Sequence, residues 1–562
     1  MGSEMGVTPD SKPQAVYSPV SIFWACWCAV WTTAVLCGMA FLIIRRDSPV
    51  IRVRGLWLSL AAVLFLHAYW APVQFGVMIG PIMPGDAQYW IMGTYLPIGI
   101  ALFHASNARF LHVAKLQKKY IRPGSSYDDM PAHMQRRPGL IVRFKRLDYT
   151  NKTLVVVAIA IVIQLFLTIL MWLISRKWHP SWGIPGTEVH GTKMQQLSAM
   201  GAGWEWWATI VGQFIWAWIV APIVLWKARH IQDTQGWRVQ TMACVIANLP
   251  ATPMWLIAVY VPGFEKVNAV WLPPQWICLS IIVMEIFTIF LPCWEVIRHQ
   301  SLRKETLETI AEWEAKTKGK GSEAKSVSDA TTMIDSMISG FKSTNASIDS
   351  KSSRASILTM GALEHVLERN PTPLLEFSAL HDFSGENIAF LTSVAEWKSS
   401  LPKPIRDGTA APDDPNTREL IRERFNRALQ IYTEYISVRH AEFPVNISSQ
   451  DLRRLEGIFD AAAQTCYGDQ VEADPATPFD KFTFDPPSPR HSESSEQPIK
   501  QPASAPKYWG EVPESFNATV FDAAEESIKY LVLTNTWPKF IKNRRISADS
   551  ANTLKPEEYE MA

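Results

Sequence analysis

Seven residues able to ionise or hydrogen-bond stand inside long apolar runs of this 562-residue chain: His67, His104, Gln164, Glu205, Gln213, Asn248 and Glu285. Lipid makes such side chains costly, so each must bond a neighbouring helix or face a polar ligand. Glu205 and Trp206, in the run WEWW (204–207), and Glu285 are the candidate ligand pocket. A second group of polar residues lies in the other half. The stretch FSALHDFSGENIAFL (377–391) reads as an apolar run, a polar corner, and an amphipathic helix opened by Glu386 and Asn387. Neither group offers a metal-ligand spacing, a phosphate-cradling loop or an evident nucleophile. The chemistry they suit is recognition, with no catalytic residue and no cofactor.

Two unlike halves must position these residues. Residues 1–295 are apolar and aromatic and hold 20 of the 24 Trp, whereas 296–562 are charged and punctuated by Ser and Pro. A net charge of +1 argues neither for nor against a nucleic-acid partner, but no basic stripe interleaved with aromatics is present, and no such partner is expected. Six of the seven cysteines lie in apolar runs, with no disulfide framework or zinc spacing, and read as buried small hydrophobes.

Seven apolar runs are each long enough to cross a bilayer: 19–44, 55–80, 87–111, 153–174, 203–226, 238–261 and 272–295. Trp24, Trp57, Trp90, Trp178, Trp226, Trp237 and Trp271 gather near their ends, where amphipathic rings settle at the lipid–water boundary. Basic residues crowd the loops after the first, third, fifth and seventh runs. The positive-inside rule therefore predicts residues 1–18 outside and the tail in the cytoplasm, with the plasma membrane as the expected location. The first run is too long for a cleaved signal and serves as its own insertion signal. Pro250, Pro253 and Pro262 predict a kinked sixth span.

The rest of the chain predicts a juxtamembrane helix and flexible linker (296–355), a helical domain (356–543) with a disordered Pro/Ser-rich insertion (467–512), and a short C-terminal tail (544–562). Helical spacing buries Ile388, Phe390 or Leu391, Val394 and Trp397 on one face, and Ile421, Phe425, Leu429, Tyr432 and Ile436 on another. Ser448 is the expected cap of a helix over 448–461. With β alternation nearly absent, the fold class is all-α throughout: a seven-helix transmembrane bundle followed by a helical cytoplasmic bundle.

Three segments in order, LLEFSALHDFSGENIAFL, YTEYISVRHAEFPVNIS and VFDAAEESIKYLVLTNTWPKFIK, resemble a regulator of G-protein signalling (RGS) domain over about 357–543, minus the insertion. With the preceding spans, the chain resembles the seven-transmembrane RGS proteins of fungi. The seven spans also resemble G-protein-coupled receptors in topology alone, because the third ends SNARF and the seventh IFLPCWE. The RGS resemblance implies that three corners grip the switch regions of a GTP-bound Gα subunit. The first supplies Asp382, Phe383, Ser384, Glu386 and Asn387, the second Asn446, and the third Leu531, Asn535, Thr536 and Lys539. It further implies GTPase activation without an active site of its own, at a lipid bilayer, with a candidate small-molecule ligand in the bundle. Three positions depart from the family: Gly385 stands for a usual acid, Asn535 for a usual Asp and Lys539 for a usual Arg. The alternative is a receptor, sensor or transporter whose tail binds Gα as a scaffold without accelerating hydrolysis.

Overall fold

The computed structural model describes residues 11–121, 149–318, 357–400, 415–468 and 507–544, together with Val7 and except Pro180 and Ala202. The expected linker and insertion lie almost wholly outside these residues, and the C-terminal tail does so beyond 544. Two compact units divide the chain: one comprises Met1–Lys115 and Asp128–Ile297, the other Leu116–Tyr127 and Arg298–Ala562. Among the described residues the sole β pairing is an isolated bridge between Ser175 and Ile184. The fold is all-α.

The first unit is built from α1 (Pro19–Ile44), α2 (Leu56–Gln74), α3 (Ala87–Gln117, as far as Lys115), α4 (Tyr149–Ile174), α5 (207–228), α6 (Trp237–Tyr260) and the start of α7 (273–318). Ser18 and Ser21 open α1 with reciprocal cap bonds, satisfying donors that the first turn would otherwise leave bare. Around α4 the apolar side chains point outward: Val156, Ile159, Val162, Ile163 and Phe166 are all exposed. Water would penalise such a surface, and lipid accepts it. This is a multi-pass membrane protein.

Six helices among the described residues, rather than the seven expected, are long and apolar enough to span a bilayer. The expected third span falls short. It forms a continuous helix, α3, but Gln88, Thr94, His104, Ser106, Asn107 and Arg109 dilute its apolar run. The sixth span is interrupted at Leu249 and Pro250, between Trp237–Asn248 and Ala251–Tyr260. Proline cannot donate the helical bond there.

The second unit holds α8 (Met360–Arg369), α9 (Thr372–Phe377), α10 (Gly385–Ser399), α11 (Pro415–Ile431), α12 (Ser449–Tyr467) and α13 (Asp522–Leu531), with helix resuming over 537–544. Thr359 caps α8 and Ser448 caps α12, the latter by accepting from the Asp451 N–H at 3.1 Å. The expected face of α10 is buried, and it meets Phe425, Phe459 and Phe521 in one aromatic core. The fully buried members of that core all lie between Ile357 and Ile541. Phe459 stacks on Phe425, Tyr432 and Phe521 together. Phe459→Ala is therefore expected to cost about 3–5 kcal/mol, read as a lower unfolding midpoint of this unit.

Ion pairs lace α8, α10 and α13. Lys398 meets Asp522 and Glu525, and Lys529 meets Glu525 at 2.9 Å and Glu364 at 3.2 Å. Burial pushes the Glu525 carboxyl up, but the bonds from the two lysines outweigh it and hold the group below the usual carboxylate range. Burial opposes the charge on both lysines as well, yet their partners prevail and raise them. A depressed carboxyl contributes stability above its unfolded pKa and loses it as pH falls through the folded value; a raised lysine loses its contribution at the alkaline end. The unfolding midpoint of the second unit should drop below pH about 4. Glu525→Gln should flatten that acid limb in a thermal titration.

Candidate functional site

The three corners share one local construction. Each follows or contains a turn wound as a π-helix: Ser378–Asp382 before the first corner, Tyr432–Ile436 before the second, and Val532–Thr536 within the third. A π turn inserts one residue into the α spacing and is frequent at functional sites. At the first corner the chain then enters a left-handed conformation at Phe383, with φ of 50°, the sole non-glycine of positive φ among the described residues. For a bulky side chain this costs about 1–3 kcal/mol and persists only when its surroundings impose it. The Phe383 ring is buried, and the Ser384 N–H donates to Ser378 O at 2.9 Å, closing the corner.

Asp382 gathers donors from two corners. Its Oδ1 accepts from Lys539 Nζ at 2.8 Å, and its Oδ2 accepts from Thr536 Oγ1 at 2.9 Å and Ser384 Oγ at 3.0 Å. The Ser384 and Thr536 hydroxyls also approach to 3.3 Å. The structure thus brings the first and third corners together, with four of the carried-over residues bonded to one another. Because the Asp382 side chain is 0% exposed, its charge depends on these donors.

The remaining residues divide. Asn446 is exposed, on a turn set by Val445 N–H donating to Tyr435 O at 2.8 Å. Leu531 is half-buried. Asn387 is 6% exposed with its Oδ1 unpartnered, and Asn535 is 4% exposed with its Oδ1 accepting from His299 Nε2 at 2.8 Å. Gln117 bonds twice: its Oε1 accepts from the Gly385 N–H and its Nε2 donates to Glu386 Oε2, both at 2.9 Å. Sequence reasoning missed Gln117 and His299. Their only trace was indirect, since Gly385 and Asn535 are two of the three departures from the family pattern.

In the first unit the expected pocket residues take separate partners. Glu205 accepts from Ser175 Oγ at 2.7 Å and Lys177 Nζ at 2.9 Å, and the indole N–H of Trp206 donates to Met200 O. Glu285 accepts from Trp31 Nε1 at 2.5 Å and pairs with His67 Nδ1 at 2.7 Å, while the far nitrogen of His67 meets Thr32 Oγ1. The Glu285 bonds join three helices, the role expected of polar groups in lipid, and the Glu205 bonds fasten the turn after α4. A cavity of about 20 Å³, room for one water, lies elsewhere and is lined in part by His104, Gln213, Asn248 and Thr252. Glu205, Trp206 and Glu285 are not among its walls.

Comparison with known proteins finds no matching family model, no matching curated protein and no matching solved structure. No group of three or more metal-ligating side chains occurs among the described residues.

Removing the central carboxylate should unfasten the first corner from the third. Asp382→Ala is expected to destabilise the second unit by about 2–3 kcal/mol. Hydrogen exchange should rise first at 383–387 and 534–539; protection there as in the parent chain would show that Asp382 does not hold the corners.

Proposed function

We propose that the second unit is an RGS-like module that accelerates GTP hydrolysis by a Gα subunit, in a membrane protein resembling the seven-transmembrane RGS proteins of fungi. The observation that carries this reading is the fastening of Asp382 in the first corner to Thr536 and Lys539 in the third. Residues separated by more than 150 positions, chosen by motif alone, turn out to be bonded neighbours.

The physics needs no active site here. Gα supplies the Arg and the Gln that steady charge and water. An accelerator holds the mobile switch loops in the geometry of the transition state, which is preorganisation. The side-chain amide of Asn446 both donates and accepts, and it can brace a catalytic Gln and a switch backbone at once. Asn387, with an unpartnered carbonyl, offers a second acceptor.

In the same reading α3 is the third of seven spans. Its polar residues support this because His104, Asn107 and Arg109 are all buried, leaving lipid the apolar side. Basic residues in alternate loops support an outside N-terminus and a cytoplasmic tail. A lipid-anchored Gα would share that leaflet, and tethering raises the effective concentration of the encounter.

One observation favours the scaffold alternative. Gly385, Asn535 and Lys539 depart from the family pattern, and a neutral amide accepts a weaker hydrogen bond than a carboxylate while lysine lacks the planar fork of arginine. Hydrolysis separates the two. Residues 356–543, which contain the fully buried core, should speed single-turnover GTP hydrolysis by Gα. Asn387→Ala with Asn446→Ala should reduce that acceleration by at least about 100-fold, the scale of losing one preorganised donor. Binding without acceleration would establish the scaffold reading.

A further inference from the structure

Two segments outside the corners bond residues within them. Leu116–Tyr120 and the helix from Arg298 both belong to the second unit, and each engages the corners. At the first, Gln117 takes the Gly385 N–H and gives its own amide hydrogen to Glu386. Beside the second, Tyr120 packs on Tyr435 and Phe443 with ring centroids 6.3 and 6.2 Å apart, and Lys119 pairs with Glu442 at 2.8 Å. At the third, His299 donates to Asn535. The first and third corners have an internal occupant, while Asn446 of the second stays exposed.

Two departures from the family pattern coincide with these contacts. A Cβ at Gly385 would stand 2.9 Å from Gln117 Oε1 and 2.8 Å from the Ala379 methyl, so a side chain there would push Gln117 away. At the position of the usual acid, Asn535 presents the carbonyl that His299 bonds. The features that distinguish this surface from the family are also those that accommodate its internal partners.

We infer that residues 117–120 and His299 form an inhibitory clasp, holding the Gα-facing corners closed in the full chain. The inference rests on the RGS-like reading and deepens it by naming how the site is regulated. A Gα subunit and the clasp compete for Glu386 and Asn535, so whatever displaces residues 117–120 or 299 releases the accelerator. The two segments follow the third and seventh apolar runs of the sequence, so a conformational change along either helix reaches the corners through a continuous backbone. The differential contact that a switch requires is thereby present on the site itself.

The test uses the full chain in lipid nanodiscs with GTP-loaded Gα. Gln117→Ala with His299→Ala should raise single-turnover acceleration about tenfold over the parent chain, within the usual range of allosteric coupling. Hydrogen exchange without Gα supplies a second readout: the Gly385 amide should lose protection in Gln117→Ala while 388–397 stay protected. Equal acceleration by parent and variant would overturn the clasp and leave the RGS-like reading standing. So would unchanged Gly385 exchange, or a variant that stays silent while residues 356–543 are active. If 356–543 also fails to accelerate hydrolysis, the functional reading falls and the clasp falls with it.

Discussion

A carboxylate with no exposed surface must be compensated where it stands, and in the second unit that carboxylate is Asp382. One cation and two hydroxyls meet it from two corners distant in sequence. The left-handed Phe383 and the closing bond from Ser384 adjoin that arrangement, and the widened turn Val532–Thr536 carries Thr536 to it. Were the charge left unpartnered, its desolvation would exceed what a typical hydrogen bond returns. The corner is therefore held by electrostatics as well as by the packing of the Phe383 ring.

The first unit solves a similar problem in another solvent. Its buried acids, Glu205 and Glu285, each find donors on other segments and share none of them. His104 differs, since both of its ring nitrogens are buried without a partner beside a water-sized cavity. The indole of Trp216 stacks on its face at 5.2 Å.

Much of the fold was legible because it is written locally. The buried face of α10 follows from helical spacing, and the Ser448 cap from a hydroxyl placed before an apolar-periodic run. The count of apolar spans was less legible. In α3, polar residues that turn inward are indistinguishable in sequence from polar residues that would forbid insertion. The candidate site was legible in name and not in arrangement. The motifs supplied Asp382 and Lys539, but nothing in their spacing said that they would bond each other. Gln117 and Gly385, 268 positions apart, and His299 and Asn535, 236 apart, meet only through tertiary structure. No periodicity reports a contact of that range.

The widened turns carry a consequence for how such a surface changes over evolution. An α-helix advances about 100° per residue, so rewinding the five residues of Val532–Thr536 to regular α spacing would swing everything beyond them by much of that angle. Lys539 would then face away from the first corner, and the ammonium would have to be supplied from a different position on the same helix. Length and winding in this segment are thus coupled: a chain one residue shorter would need an ordinary α turn to hold an ammonium over the same carboxylate, and a chain of this length needs the widened one.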